Sequence, residues 1–229
     1  MQATRNSSRV IRLGRETNWK STMNLYKFRS LKNIEFASDI ILHERLYCAD
    51  YNKLNDPFEG LFFTIIRSGG FSSAFANGFD RQVKECKAIL ANLKICSLSN
   101  SLNDVRMWSF YADDHKGIAI EINFDGFEND INQVDYFENL SEYNLTNPDS
   151  YEILTKKTKH WFYESEYRII RKEEYYPVNG RIIAIYLGQR ISDAHLEILK
   201  KIIPHKTPIY KTRLDTDEIK IQPDNLLDR

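Results

Sequence analysis

Short apolar runs of strand length recur from residue 25 to residue 221, and they interleave with helical segments without the regular strand-helix-strand spacing that a parallel sheet needs. Several are separated only by turns. This pattern predicts an α+β fold, a single domain whose largely antiparallel mixed sheet is flanked by helices, rather than a doubly wound parallel sheet. Strands are expected over residues 25–30, 46–49, 93–99, 118–124, 134–137, 167–171, 182–187, 209–212 and 219–221. Helices are expected over 33–44, 80–92, 103–112, 151–161 and 192–203. In the first, Ile34, Ala37 and Ile41 fall at helical spacing; Asn103 or Asp104 caps the third, and Ser192 caps the last. In the run 118–124, apolar residues alternate with Ala119, Glu121 and Asn123, which predicts one face on the core and one carrying polar groups. Asn55-Asp56-Pro57 reads as a turn, and Gly69-Gly70 with Gly78 as a loop.

At 229 residues, 42% hydrophobic and 28% charged, the chain can bury one sizeable core, which excludes whole-chain disorder and collagen-like structure. Its 32 basic and 32 acidic side chains cancel, so an anionic partner must be met by a local patch rather than a global field. Residues 1–22 are such a patch: Arg5, Arg9, Arg12, Arg15 and Lys20 face the single acid Glu16. Two readings of this basic arm stand, a flexible leader before a domain over residues 23–229 and a phosphate-contacting arm. Cys48, Cys86 and Cys96 are too few and wrongly spaced for a disulfide framework or a zinc cluster. No run is long and apolar enough for a membrane span or a signal peptide, so a cytoplasmic location without membrane contact is the expectation.

Four stretches carry residues suited to chemistry. Leu25-Tyr26-Lys27-Phe28-Arg29-Ser30 alternates, so Tyr26, Phe28 and Ser30 share one face and Lys27 and Arg29 the other, where they can meet an anion or merely be solvated. Leu54-Asn55-Asp56-Pro57-Phe58-Glu59-Gly60 places two carboxylates on a turn that is either structural or able to hold a metal or a ribose. Ser97 and Ser99, at i and i+2, project from one face of a strand, and Trp108 and Tyr111 follow three apart on the next helix. In Trp161-Phe162-Tyr163-Glu164-Ser165-Glu166-Tyr167-Arg168, Glu164 and Glu166 share a face as the chain enters a strand, and Arg168 continues that parity and can pair with Glu166. No P-loop, dinucleotide fingerprint, HExxH, GxSxG or EF-hand pattern occurs, and His43, His115, His160, His195 and His205 never pair at metal-ligand spacing.

The order Arg29, Ser97/Ser99, Glu164/Glu166 resembles the Arg, Ser-x-Ser, Glu-x-Glu arrangement of the ADP-ribosyltransferase superfamily. The strings YKFRSL, LYCADYNKLNDPFEG, CSLS, MWSFYADDHKGIAIEI, WFYESEYRII and IYLG, which span most of residues 23–221, are similar to a widespread bacterial domain family of uncharacterised function. That family shares LYKYRSL, an NDPFE turn, W-x-x-YA-x-x-x-KG and E-x-E-x-R. The superfamily resemblance implies an ADP-ribosyltransferase-like fold and NAD as co-substrate. Arg29, with Tyr26 and Lys27 on the same strand, would then grip NAD phosphate and ribose. Ser97, Ser99, Trp108 and Tyr111 would wall the nicotinamide side. Glu166 would stabilise the oxocarbenium ion, and Glu164 would orient the acceptor. It also implies a toxin or anti-phage effector, with an antitoxin or inhibitor among its partners. The basic arm favours RNA or DNA over protein as acceptor. Two other classes stay open. One is a metal-dependent hydrolase or nuclease in which Asp56, Glu59, Glu121 and Glu164 or Glu166 hold Mg²⁺ while Lys116 or Arg168 faces phosphate. The other is a binding module without catalysis.

Overall fold

The computed structural model describes residues 22–57, 59, 81, 84–138, 149–215 and 219–222, the last four by backbone alone. The basic arm apart from Thr22, and the Gly69-Gly70 and Gly78 loop, lie outside the described residues. In chain order the elements are β1 (Asn24–Arg29), α1 (Ile34–His43), β2 (Arg45–Tyr47), β3 (Ala49–Asp50), α2 (residues 84–90), β4 (Lys94–Ser99), α3 (Val105–Tyr111), β5 (Ile118–Asn123), β6 (Asn132–Gln133) and β7 (Asp135–Phe137). There follow α4 (Ser150–Ile153), β8 (Lys156–Thr158), β9 (Glu166–Arg171), β10 (Tyr175–Pro177), β11 (Ile182–Leu187), α5 (Asp193–Ile202), β12 (Ile209–Leu214) and β13 (Ile219–Gln222). The fold is α+β, and its sheet is mostly antiparallel.

Nine strands make the main sheet in the order β13-β12-β11-β5-β1-β4-β9-β6, with β3 also paired to β4. Its one parallel pair among the described residues is β11 with β12, joined through α5. Leu25, Leu98, Ile120, Ile122, Ile169 and Ile185 face α1 and α5 and form the larger core with Ala37, Ile40, Ile41 and Leu199. Each fully buried aliphatic side chain there contributes roughly 1.5–3 kcal/mol. On the opposite face α3 lays Met107 and Trp108 over Phe28, Ala119 and Ala184, while Cys86 and Leu90 cover Ile95 and Ile170. No helix among the described residues is long and apolar enough to cross a membrane.

One expectation holds and one needs correction. The strand β5 turns Ile118, Ile120 and Ile122 to the larger core and carries Glu121 and Asn123 on its other face, as its alternation predicts, and five of its six residues are buried because it runs centrally between β1 and β11 with helices over both sides. The helix expected over residues 151–161 stops after Ile153. The Thr155 hydroxyl donates back to the Glu152 carbonyl (3.0 Å), a bond that competes with helix continuation, and residues 156–158 pair in parallel with β7 instead. A 3-10 turn, Lys159–Glu164, then leads into β9. Elsewhere side-chain caps act where expected: Asp104 accepts from the Arg106 amide (2.8 Å) and Ser192 from the His195 amide (3.2 Å).

The return from α3 to β5 fixes the end of β1. Asp113, Asp114 and His115 all adopt left-handed backbone (φ 49°, 50° and 67°), a conformation that costs roughly 1–2 kcal/mol per non-glycine residue. The turn is held by backbone bonds, including Gly117 N–H to the Ala112 carbonyl at 2.7 Å. A Cβ on Gly117 would sit 2.2 Å from the Arg29 carbonyl oxygen, so only glycine lets the two segments pass this closely.

Candidate active site

Strand register assembles the site. Ala184, Glu121, Tyr26, Ser99 and Glu166 are successive cross-strand partners on five adjacent strands, so their side chains share one face of the sheet. The strands β1 and β5 pair along their whole length, whereas β1 and β4 meet only at Tyr26 and Ser99. Beyond that point they part, and the gap is a cavity of about 250 Å³. It is lined by Tyr26, Lys27 and Arg29 from β1, Ser97 and Ser99 from β4, Tyr111 from α3, Lys157 from β8, and Glu164 and Glu166. Three stretches that are distant in sequence therefore meet around one space.

One wall is cationic. Lys27 Nζ donates to the Ser97 carbonyl (2.7 Å), which the missing β1–β4 ladder leaves without a strand partner. Burial pushes the Lys27 pKa below its ordinary value, and burial does the same to Arg29. Arg29 Nε is buried with no hydrogen-bond partner, and neither cation forms a salt bridge among the described residues. Their ionisable neighbour is the Cys96 thiol, which a hydrogen bond from Cys48, together with Lys27 and Arg29, holds down to about 6. Lys27 and Arg29 have no carboxylate partner among the described residues, and the Cys96 thiol is the group of the fold that meets their charge; an anionic ligand in the cavity would add to it.

The other wall is a closed ionic network. Arg168, fully buried, grips Glu59 through Nη1 (2.6 Å) and Nη2 (2.8 Å) and Glu166 through Nε (2.8 Å), and donates to the Leu154 carbonyl. Lys157 Nζ bridges Glu164 Oε2 (2.6 Å) and Glu166 Oε2 (2.8 Å), and the Tyr111 hydroxyl donates to Glu164 Oε1. Three carboxylates against two cations leave one negative charge when all are ionised. Burial raises the Glu164 pKa, and the neighbouring Glu166 charge adds to the effect. Glu166 moves the other way: despite its burial, Arg168 and Lys157 hold it at about 2. Adjacent carboxylates whose environments push their pKa values apart divide into one that stays charged and one that can exchange a proton.

The serines differ in role. The Ser99 hydroxyl donates to the Glu164 carbonyl (2.7 Å) and accepts from the Ser101 amide (3.0 Å), so it tethers the turn that carries Glu164. Ser97 contributes its carbonyl to Lys27. Trp108 does not line the cavity. It is wholly buried behind the wall, where its indole N–H donates to the Leu102 carbonyl (2.7 Å) and its ring meets Phe28 edge-on at 5.2 Å. It is the aromatic residue of the expected set that packing claims for the core.

Of the residues proposed for a metal site, Glu59, Glu164 and Glu166 converge, but on the cations Arg168 and Lys157. Glu59 and Glu166 are both committed to Arg168, Lys116 is exposed on the α3–β5 turn, and Glu121 accepts from the Tyr186 hydroxyl (2.8 Å) and from Asn24 (2.9 Å). Among the described residues no three His, Cys, Asp or Glu side chains are set to hold a metal ion. Sequence reasoning missed Lys157, because reading residues 151–161 as a helix hid the inward side chain of β8; the β-branched Thr155 and Thr158 that bracket it were the available signal. Compared with family models, curated proteins and solved structures, the chain finds no match.

Proposed function

We propose that the protein is an NAD-consuming mono-ADP-ribosyltransferase. The observation that carries this reading is a cavity lined both by Lys27 and Arg29, which have no carboxylate partner among the described residues, and by the carboxylates Glu164 and Glu166. NAD has matching polarity, an anionic pyrophosphate joined through a ribose to a cationic nicotinamide ring. The cavity lies just below the roughly 300–1,000 Å³ of small-molecule sites, so it suits the nicotinamide-ribose end, with the remainder outside.

In this reading Arg29 and Lys27 bind the pyrophosphate, and Tyr26 and Tyr111 flank the ring. The C1′–N bond breaks with its electron pair leaving on nicotinamide, and the ribosyl cation forms beside Glu166, which stays ionised at any physiological pH. An acceptor nucleophile then attacks C1′ and loses its proton to Glu164, whose raised pKa suits a general base. The basic N-terminal arm makes RNA or DNA the proposed acceptor in preference to protein, and an effector or toxin role, with an antitoxin or inhibitor, follows from the same resemblance.

The test is release of labelled nicotinamide from NAD by the wild-type protein and by Glu166→Gln. Release is expected, with a loss of about 100-fold or more in the variant; no release from wild type overturns the proposal. A second reading, a nucleotide-binding module without turnover, is favoured by the full engagement of both carboxylates with Lys157, Arg168 and Tyr111. NAD binding without nicotinamide release would select it.

A further inference from the structure

Lys157 belongs to no motif read from the sequence, yet it touches both carboxylates of the site. It is the middle residue of β8, and the parallel pairing of that strand with β7 directs its side chain inward, where only 7% of it is exposed. Its ammonium lies 2.6 Å from Glu164 Oε2 and 2.8 Å from Glu166 Oε2, and the Trp161 ring covers it from 5.1 Å. Two buried carboxylates that share a site do not both ionise unless a cation stands between them.

The groups around Glu164 show which cation this is. Tyr111, Tyr136 and Tyr163 bring no charge, Glu166 brings like charge, and Arg168 bonds Glu166 and Glu59. Lys157 is the cation in contact with Glu164. We infer that Lys157 is a positioning residue that keeps Glu164 and Glu166 ionised side by side and aims Glu164 into the cavity. Its kinetic consequence rests on the transferase reading, and its electrostatic consequence does not.

The experiment therefore has two readouts on the full chain. In the first, wild type, Lys157→Met, Lys157→Arg and Lys157→Met/Glu164→Gln are melted between pH 4 and pH 8. The gap in melting temperature between wild type and Lys157→Met is expected to be smallest at pH 4, where Glu164 with its raised pKa protonates while Glu166 stays charged, and to widen toward pH 8 as Glu164 ionises. It should stop widening in the double variant, which removes one of the two like charges. A gap that does not depend on pH would make Lys157 a packing residue and overturn the inference.

In the second readout, nicotinamide release by Lys157→Met at pH 7 should fall at least tenfold. It should recover as pH rises, with the acid limb of the profile displaced upward by about one pH unit or more. Lys157→Arg should keep the wild-type limb. An equal loss at every pH with an unmoved limb would also overturn the inference. Absence of nicotinamide release from the wild-type protein would defeat the transferase reading alone, and the melting series would still decide the role of Lys157.

Discussion

On β1 two half-buried cations, Lys27 and Arg29, have no carboxylate partner among the described residues, whereas Glu59, Arg168, Glu166, Lys157 and Glu164 close onto one another elsewhere around the site. The two groups of charges offset their desolvation differently. The second is satisfied within the protein, as buried charges in a resting fold normally are. The first is satisfied only in part, by the Ser97 carbonyl and the Cys96 thiol, and leaves Arg29 Nε without a hydrogen-bond partner, which is the condition of a group that a ligand can engage. Their stability responses should therefore have opposite signs.

The largest effect is expected from Arg168→Met, which strands Glu59 and Glu166 in the interior. Denaturant unfolding should show a loss of about 3–5 kcal/mol, the range for breaking a buried pair by removing one partner. A loss below about 1 kcal/mol would mean that the network is solvated and the contrast between the two groups false. Next comes acid. Glu166 titrates at about 2 in the fold against an ordinary 4.5, so its contribution is fully present above the unfolded value and is lost as pH falls toward 2. That contribution is worth about 3 kcal/mol. Wild type should thus lose about that much more stability than Glu166→Gln between pH 5 and pH 2, and parallel curves would contradict the pairing. The smallest effect is of opposite sign: Arg29→Met should leave stability unchanged or raise it by about 1 kcal/mol, because it replaces an unpartnered buried donor with an apolar chain. A loss of 2 kcal/mol or more would reveal a partner for Arg29 within the fold.

The same contrast explains what could be read in the sequence. Alternation alone separated Tyr26 from Lys27 and Arg29, and i, i+2 spacing alone put Ser97 with Ser99 and Glu166 with Arg168, because a strand's period is fixed by its backbone. Local spacing does not specify which strands lie side by side. The row from Glu121 to Glu166 and the opening between β1 and β4 arise from pairing across about 70 residues of chain, as between Tyr26 and Ser99. The superfamily resemblance puts Trp108 beside the nicotinamide with Tyr111, three residues on; burial decides otherwise, since Phe28 and the Leu102 carbonyl satisfy it behind the wall. Lys157 was hidden because a four-residue helix, stopped by Thr155, and a three-residue strand have no periodicity long enough to read.

The most direct measurement is a crystal structure of the Glu166→Gln protein with NAD bound. The account predicts the phosphates against Lys27 and Arg29, and C1′ of the nicotinamide ribose facing residue 166 in the gap between β1 and β4. Density for NAD elsewhere on the molecule, or a reversed dinucleotide with its phosphates on the Lys157–Arg168 wall, would contradict it.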